Sequence, residues 1–201
     1  MSVLTIAKNM EETCRGEKDA HYASKRDLRN LLYYAYNKRS TMVLNNLYNI
    51  GIESVYSQFL YLQNRRVKTL STRALHYILS FDTQGYEKEV DYPLLVNIMC
   101  LIQTGCFQEY QCVQFLHMDK PSHYHIHLII NPVNINDLSV CRENIMTVGR
   151  ILAEWLGIMY NIPLQSFTYL NELGRLVWGN ETGAYLYKDK FLKKYNLKPV
   201  V

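Results

Sequence analysis

The chain has 201 residues, of which 48% are hydrophobic, and we expect a single domain over residues 1–201 with a substantial core. Its formal net charge of +4 is too mild to identify a nucleic-acid partner unless the basic residues cluster. Five cysteines without a CxxC pair, no secretory leader and no long apolar run argue against a secreted disulfide scaffold or a membrane span, so we expect a cytoplasmic protein.

The first half of the chain predicts a strand followed by two helices. Val3–Ile6 is the first strand, and the polar stretch that ends at Ser24 is predicted to loop. A helix is expected to start at Asp27, because apolar residues then recur at helical spacing, namely Leu28, Leu31, Leu32 and Ala35. The second helix is predicted over Ser54–Asn64.

A basic stretch follows the second predicted helix. It contains four cations within nine residues: Arg65, Arg66, Lys68 and Arg73. Such a stretch is typical of a solvated turn and equally of a contact to a DNA backbone, so these residues are candidates for DNA binding.

The second half of the chain predicts mainly strands. The expected elements are strand Leu75–Phe81, helix Pro93–Thr104, strands Tyr110–Met118 and His125–Val133, helix Glu143–Tyr160 and strand Leu164–Tyr169. The two middle strands flank a short connector that contains Pro121, which predicts a β-hairpin.

Four of the six histidines fall within an eleven-residue stretch of this hairpin, residues 117–127. Alternate residues of a strand share a face, so His125 and His127 lie side by side. If the hairpin turns about Pro121, residues whose numbers sum to about 242 face each other, which sets His117 across from His125. The three imidazoles then converge, and the alternative is a set of surface imidazoles on a polar sheet face.

Three neutral imidazoles with open coordination positions suit one divalent metal that accepts water or a phosphate oxygen. Such ligands favour manganese, nickel or zinc by affinity, but abundance also decides; we expect manganese or magnesium in function, with nickel or zinc as alternatives. His123 shares the parity of His125 and is an alternative ligand. Asp119 is a candidate for orienting an imidazole through a hydrogen bond, or is a simple turn residue.

At these residues the chain resembles the relaxase/mobilisation nuclease family, a group of HUH endonucleases named for two histidines separated by one hydrophobic residue. The signature is His125-Ile126-His127, within the longer match HMDKPSHYHIHLIIN. Two upstream segments also resemble the family: LHYILSF is similar to its strand that ends in Ser-Phe, and YYAYNKRST is similar to its tyrosine-bearing helix. The likeness spans roughly residues 28 to 160.

The resemblance implies an α+β fold with a central antiparallel sheet that carries the histidine hairpin, helices packed on one face and the other face open to DNA. It assigns His117, His125 and His127 to the metal, and Tyr34 to attack on the scissile phosphate. The implied activity is nicking at a transfer origin through a covalent 5′-phosphotyrosine, followed by rejoining, for conjugative transfer or plasmid mobilisation. The implied partners are single-stranded or hairpin origin DNA and accessory mobilisation and coupling proteins.

The same helix carries three tyrosines, and helical angle alone does not select the nucleophile. Tyr34 fits the family register of Tyr, two residues and Asn, with Ser-Thr where the family has Lys-Thr. Tyr33 lies furthest from the apolar stripe, and Tyr36 lies on the flank opposite Tyr34. Tyr22 is a further candidate.

Two other functions are compatible with the pattern. A replication-initiator or transposase nuclease of the HUH group would share the chemistry, but its tyrosine helix usually follows the histidines. A DNA-binding module of the same fold would bind without cutting. The basic and aromatic stretch 185–195 is predicted either to contact single-stranded DNA or to form an amphipathic helix that packs on the sheet.

Overall fold

A computed structural model describes residues 2–6, 22–36, 40–48, 51–82, 90–120, 123–141, 164–165, 168–170 and 176–178. Its elements in chain order are β1 Ser2–Ile6, α1 Lys25–Ala35, β2 Ser40–Asn45, α2 Ile52–Asn64, β3 Leu75–Asp82, α3 Tyr92–Gly105, β4 Tyr110–Lys120, β5 His123–Asn134, β6 Leu164–Gln165, β7 Thr168–Leu170 and β8 Leu176–Trp178. The predicted helix Glu143–Tyr160 and the stretch 185–195 lie outside the described residues.

Six of the strands form one sheet in the order β2-β4-β5-β3-β1-β6. All neighbouring pairs are antiparallel except β1 and β6, which run parallel. Strands β4 and β5 form the predicted hairpin in the middle of this order. From Cys112↔Ile130 to His117↔His125, the numbers of the paired residues add up to the predicted 242. The register shifts at both ends, at Tyr110↔Asn134 and Lys120↔His123. The predicted pairing of the hairpin is therefore confirmed.

Helix α1 begins earlier than predicted, because Ser24 rather than Asp27 caps it. The Ser24 hydroxyl accepts from the Asp27 backbone N–H at 3.0 Å, and the Asp27 carboxylate accepts from the Ser24 N–H at 2.9 Å. This reciprocal capping box satisfies two N–H groups that have no partner within the helix. The predicted apolar stripe is buried as expected.

The sheet is covered on both faces. Helix α3 packs on the face formed by even-numbered residues of β4 and β5, such as Leu116 and Leu128. Helices α1 and α2 pack on the odd-numbered face, against Phe115 and Ile129. The α+β class and the central histidine hairpin are confirmed, but the expectation that helices lie on one face is corrected. The physical reason is that both parities of these strands are apolar, so each face needs a covering helix.

A buried polar cluster fastens α2 to the hairpin. The Asn131 side-chain amide donates to the Phe59 carbonyl at 3.2 Å and to Gln111 at 2.7 Å. In return, the Gln63 side-chain amide donates to the side-chain oxygen Oδ1 of Asn131 at 3.2 Å. Because buried amides are costly unless they are satisfied, this network fixes where α2 sits on the sheet.

Helices α2 and α3 and strands β1, β3, β4 and β5 match predicted elements to within about two residues at most ends, as is usual for such boundaries. The expected strand Leu164–Tyr169 is replaced by the two short strands β6 and β7. Strands β2 and β8 were not predicted. None of the helices within the described ranges is long and apolar enough to cross a membrane.

Candidate metal and nuclease site

The hairpin brings three imidazoles together on the face covered by α1. His117 pairs directly with His125, and His127 lies between Phe115 of β4 and Ile78 of β3. The ring centroids of His117, His125 and His127 are 4.8 to 5.0 Å apart. One potential ligand atom from each ring lies within 4.8 Å of the others. The predicted convergence of these three side chains is therefore observed.

His127 is held in its neutral form. Burial, and secondarily the neighbouring imidazoles of His76, His117 and His125, lower the pKa of His127 to about 2. A neutral imidazole has a lone pair for a metal, whereas a protonated one does not. His127 therefore does not have to lose a charge before it binds a cation at neutral pH.

His117 is oriented by the end of helix α1. Its Nε2 lies 2.8 Å from the Ala35 carbonyl oxygen and 3.1 Å from the Ser40 hydroxyl, which itself donates to Ala35 at 2.9 Å. Because a carbonyl only accepts, Nε2 of His117 carries the hydrogen, and in the neutral ring Nδ1 keeps the lone pair. That Nδ1 lies 3.1 Å from Nε2 of His125.

His127 is in contact with a buried pair that the sequence did not reveal. Its Nδ1 lies 2.9 Å from Nε2 of His76 in β3, and Nδ1 of His76 lies 3.0 Å from the Tyr22 hydroxyl. His76 and Tyr22 are both buried. Burial lowers the pKa of His76 to about 3, and burial together with the Tyr34 hydroxyl raises the pKa of Tyr22 above its ordinary value.

These contacts test whether a metal fits. Nε2 of His127 is buried and has no hydrogen-bond partner among the described residues, which is costly for a polar atom in the interior. The other two imidazoles converge on the same place. Three nitrogen donors with no carboxylate among them suit a divalent transition metal that keeps positions for water or phosphate. The residues present therefore fit a metal.

The two tyrosines of α1 and Tyr36 at its C-cap have similar exposure but different surroundings. The Tyr34 ring meets the His127 ring edge-on, with centroids 5.5 Å apart. The Tyr33 hydroxyl donates to the Glu53 carboxylate, which also binds Arg29 at 2.7 Å. The Tyr36 ring packs against Phe115, with centroids 6.0 Å apart. The contact with the imidazoles thus singles out Tyr34 within this helix.

The basic stretch divides into two pairs. Arg65 and Lys68 are exposed. Arg66 donates to the Leu138 carbonyl. Arg73 donates to Gln63 at 2.9 Å and to the Ala23 carbonyl at 3.2 Å. Arg66 and Arg73 therefore have internal partners, whereas the other two cations face solvent.

Two further candidates lie at the turn end of the hairpin. Asp119 belongs to β4 and is exposed, and His123 is the first residue of β5, with its side chain outside the described part of the chain. The hydrogen bonds described for His117 and His127 involve Ala35, Ser40 and His76, and the orienting role of Asp119 stays a prediction. The sequence signal for His76 is its place in LHYILSF two residues before Ile78, because alternate residues of a strand share a face. That signal becomes useful only when the register between β3 and β5, which pairs Ile78 with His127, is known.

Fold and site together define an α+β protein in which a tyrosine-bearing helix covers a three-histidine cluster on an antiparallel sheet. Residues 32–153, more than half of the chain, match the family model described as Relaxase: MobA/VirD2-like, nuclease domain, and the chain belongs to this relaxase family. The matched segment contains Tyr34, His76 and the three clustered histidines, while Tyr22 precedes it. No curated protein and no solved structure shows a significant match.

Proposed function

We propose that this relaxase domain nicks one strand of DNA with the Tyr34 hydroxyl, holds the cut end on that tyrosine and later rejoins it, so that the DNA element carrying its target site can be mobilised. The observation that supports this assignment is the edge contact between the rings of Tyr34 and His127 at 5.5 Å. It sets a hydroxyl-bearing side chain, partly exposed to solvent, beside the histidine cluster.

The proposed reaction exchanges one phosphodiester for another. The Tyr34 oxygen bonds to the phosphorus as the bond from phosphorus to the 3′ oxygen breaks. Tyrosine loses its proton, and the leaving oxygen gains one and becomes a 3′ hydroxyl. The DNA 5′ end is left on Tyr34 as a phosphotyrosine, and attack by a 3′ hydroxyl reverses the step. Because the bond energy is kept, no ATP is needed.

The three histidines would serve the proposed reaction as metal ligands. His117, His125 and His127 would hold a divalent cation, manganese or magnesium in the cell and nickel or zinc as alternatives. When bound, the cation would polarise the scissile phosphate and stabilise the charge that develops on its oxygens. The Ala35 carbonyl keeps the His117 ring oriented, so little reorganisation of this ligand is needed when DNA arrives.

The proposed substrate is single-stranded or locally unpaired DNA. A phosphate within a closed duplex would have to approach a tyrosine whose ring contacts His127 on the sheet, whereas a single strand can bend to reach it. Exposed rings of Tyr33, Tyr34 and Tyr36 beside the site provide faces on which unpaired bases can stack. Origin-specific binding and assembly with mobilisation and coupling proteins belong to the same proposal.

A covalent trapping experiment tests this proposal. The protein is mixed with a labelled library of single-stranded oligonucleotides and Mn²⁺, denatured, and analysed on a gel for DNA that migrates with protein; sequencing the trapped DNA identifies the site. Tyr34→Phe keeps the ring and removes the hydroxyl, so we expect no adduct but nearly unchanged metal and DNA binding. Tyr33→Phe and Tyr36→Phe are matched controls that should keep the adduct.

Other outcomes would contradict the proposal in different ways. An adduct that survives in Tyr34→Phe and disappears in Tyr36→Phe would move the nucleophile along the helix. DNA mapped to a histidine would overturn the tyrosine mechanism. Binding of the library without any adduct from the wild-type protein would favour a binding module that does not cut.

A further inference from the structure

The buried chain Tyr22–His76–His127 lies outside the roles described so far. Its two contacts are short, at 3.0 and 2.9 Å, and they link the segment before α1 through β3 to the hairpin. His76 is only 2% exposed and Tyr22 only 6%, so neither side chain can serve as a surface contact for DNA. The face around them is apolar, with Phe59, Val113 and Ile129. A polar pair in such a place needs a reason.

The direction of the hydrogens along this chain decides whether His127 can bind a metal. If Tyr22 donates to His76 and His76 donates to His127, Nδ1 of His127 is an acceptor and the neutral ring carries its hydrogen on Nε2. That hydrogen would block the one nitrogen that faces the cluster. In the opposite direction, His127 donates from Nδ1 to His76, His76 donates from Nδ1 to the Tyr22 oxygen, and Nε2 of His127 keeps its lone pair.

We propose that His76 and Tyr22 are positioning residues that fix His127 in the tautomer and ring orientation needed for metal binding. This inference rests on the proposed metal role of the three histidines. In this arrangement Nε2 of His76, 2.9 Å from Nδ1 of His127, is the acceptor. Tyr22 accepts from His76 and so favours the His76 tautomer in which Nε2 is free to accept.

The backbone keeps this pair in place from both sides. The Arg73 N–H donates to the Tyr22 carbonyl at 2.7 Å, which ties the residue before helix α1 to the chain entering β3. His76 follows three residues later, in a strand that pairs along its whole length with β5. The backbone bond at Tyr22 and the pairing of β3 with β5 therefore bring the Tyr22 hydroxyl and the His76 ring together.

Calorimetric titration with Zn²⁺ tests the proposal. His76→Leu removes the acceptor at similar volume, and we expect Zn²⁺ affinity to fall about 10- to 100-fold, as for other residues that orient a metal-binding imidazole. His76→Gln keeps a carbonyl acceptor for His127 and an amide donor for Tyr22, so it should restore most of the affinity. Tyr22→Phe, which removes only the hydroxyl, should lower affinity by a smaller factor.

Nitrogen-15 NMR of the histidine rings supplies a readout that a merely structural role would not move. We expect His127 to carry its hydrogen on Nδ1 in the zinc-loaded protein, and to lose this preference in metal-free His76→Leu. A ring hydrogen on Nε2 of His127 in the loaded wild-type protein would overturn the proposal.

The outcomes separate this inference from the proposed function. If the wild-type protein binds no Zn²⁺, the metal site itself fails. If it binds Zn²⁺ and folded His76→Leu binds equally well, only the positioning role fails. If His76→Leu does not fold, the tautomer of His127 in the wild-type protein and the Zn²⁺ affinity of Tyr22→Phe decide. A hydrogen on Nε2 of His127 together with unchanged affinity in Tyr22→Phe would refute the positioning role.

Discussion

At the scale of single residues, His127 shows how its neighbours prepare a ligand. Burial and three adjacent imidazoles all disfavour a positive charge on its ring, which is why its pKa falls to about 2. A cation binding there would not have to displace a proton at neutral pH, and it would satisfy the buried Nε2 atom.

The double variant His125→Ala/His127→Ala should lose most of the affinity for Mn²⁺ or Zn²⁺, because two of three nitrogen donors disappear. Isothermal titration measures this loss. His123→Ala is the matched control, since it removes a histidine of the same strand that we rank behind the other three. Affinity that follows His123 instead of the double variant would put the metal nearer the hairpin turn.

Cys106 should make the stability of the fold decrease at alkaline pH. Burial raises the pKa of this thiol from its ordinary 9.0 to about 12, so the fold favours the protonated form. Its contribution to stability is complete below about pH 9 and is lost as the pH rises towards 12, at up to about 1 kcal/mol per pH unit. Urea unfolding under reducing conditions should show a shallower alkaline loss in Cys106→Ala than in the exposed-site control Cys100→Ala. Equal slopes would show that burial does not hold the thiol protonated.

The candidate site was predictable at residue level where local rules apply. Strand alternation and hairpin register suffice to bring His117, His125 and His127 together, and both act within a few residues. His76 was missed because it reaches His127 across strands β3 and β5, and their register depends on the packing of the whole sheet. The backbone carbonyl of Ala35 was missed because nothing in the side-chain pattern marks it.

At the scale of elements, the short helix α1 both carries the proposed nucleophile and contacts a histidine of the cluster. It carries Tyr34, and its last carbonyl orients His117. Its start depends on the capping box of Ser24 and Asp27, and its buried stripe seats it against α2 and the sheet. Fraying at the start would loosen the segment that contains Tyr22.

Ser24→Ala removes the cap and should lower the free energy of unfolding by about 1 kcal/mol, since the Asp27 N–H loses its acceptor. Chemical denaturation measures the change. Ser57→Ala, on the exposed surface of α2, is the control and should be nearly neutral. A Ser24→Ala protein as stable as the Ser57→Ala protein would mean that the cap contributes nothing.

Sequence periodicity was sufficient for the helices and the longer strands, because each has several apolar residues on one face. Strand β2 escaped prediction since its six residues mix polar and apolar side chains without alternation, and its pairing with β4 begins at Ser40 next to a shift in register. The placement of helices on both faces also escaped, because it depends on which faces of the assembled sheet are apolar.

At the scale of the whole molecule, a net charge of +4 gives only weak attraction to DNA, so the distribution of cations matters more than their sum. Arg65 and Lys68 are exposed, whereas Arg66 and Arg73 are used inside the fold. Half of the basic stretch therefore forms hydrogen bonds within the fold and only the other half is exposed for DNA.

Arg65→Ala/Lys68→Ala should flatten the salt dependence of single-stranded DNA binding, by about 0.7 in the logarithmic slope for each phosphate that the variant no longer neutralises. Fluorescence anisotropy at several salt concentrations measures the slope, and the melting temperature should not change. Arg66→Ala/Arg73→Ala is the contrasting variant and should lower the melting temperature because it removes internal hydrogen bonds. An unchanged slope in Arg65→Ala/Lys68→Ala would favour the interpretation of this stretch as a solvated turn that does not contact DNA.

The attachment of helix α1 at both ends restricts how this protein can evolve. Tyr22, just before the helix, bonds to His76, and Ala35, its last residue, bonds to His117. Each residue added to a helix advances it by about 1.5 Å and turns it by about 100°. An insertion or deletion between these anchors would therefore break one attachment and swing Tyr34 away from His127. Relatives should keep the length of this segment together with Tyr34 and the capping pair Ser24 and Asp27, and should vary freely at its other exposed positions. Designed variants should respect the same spacing.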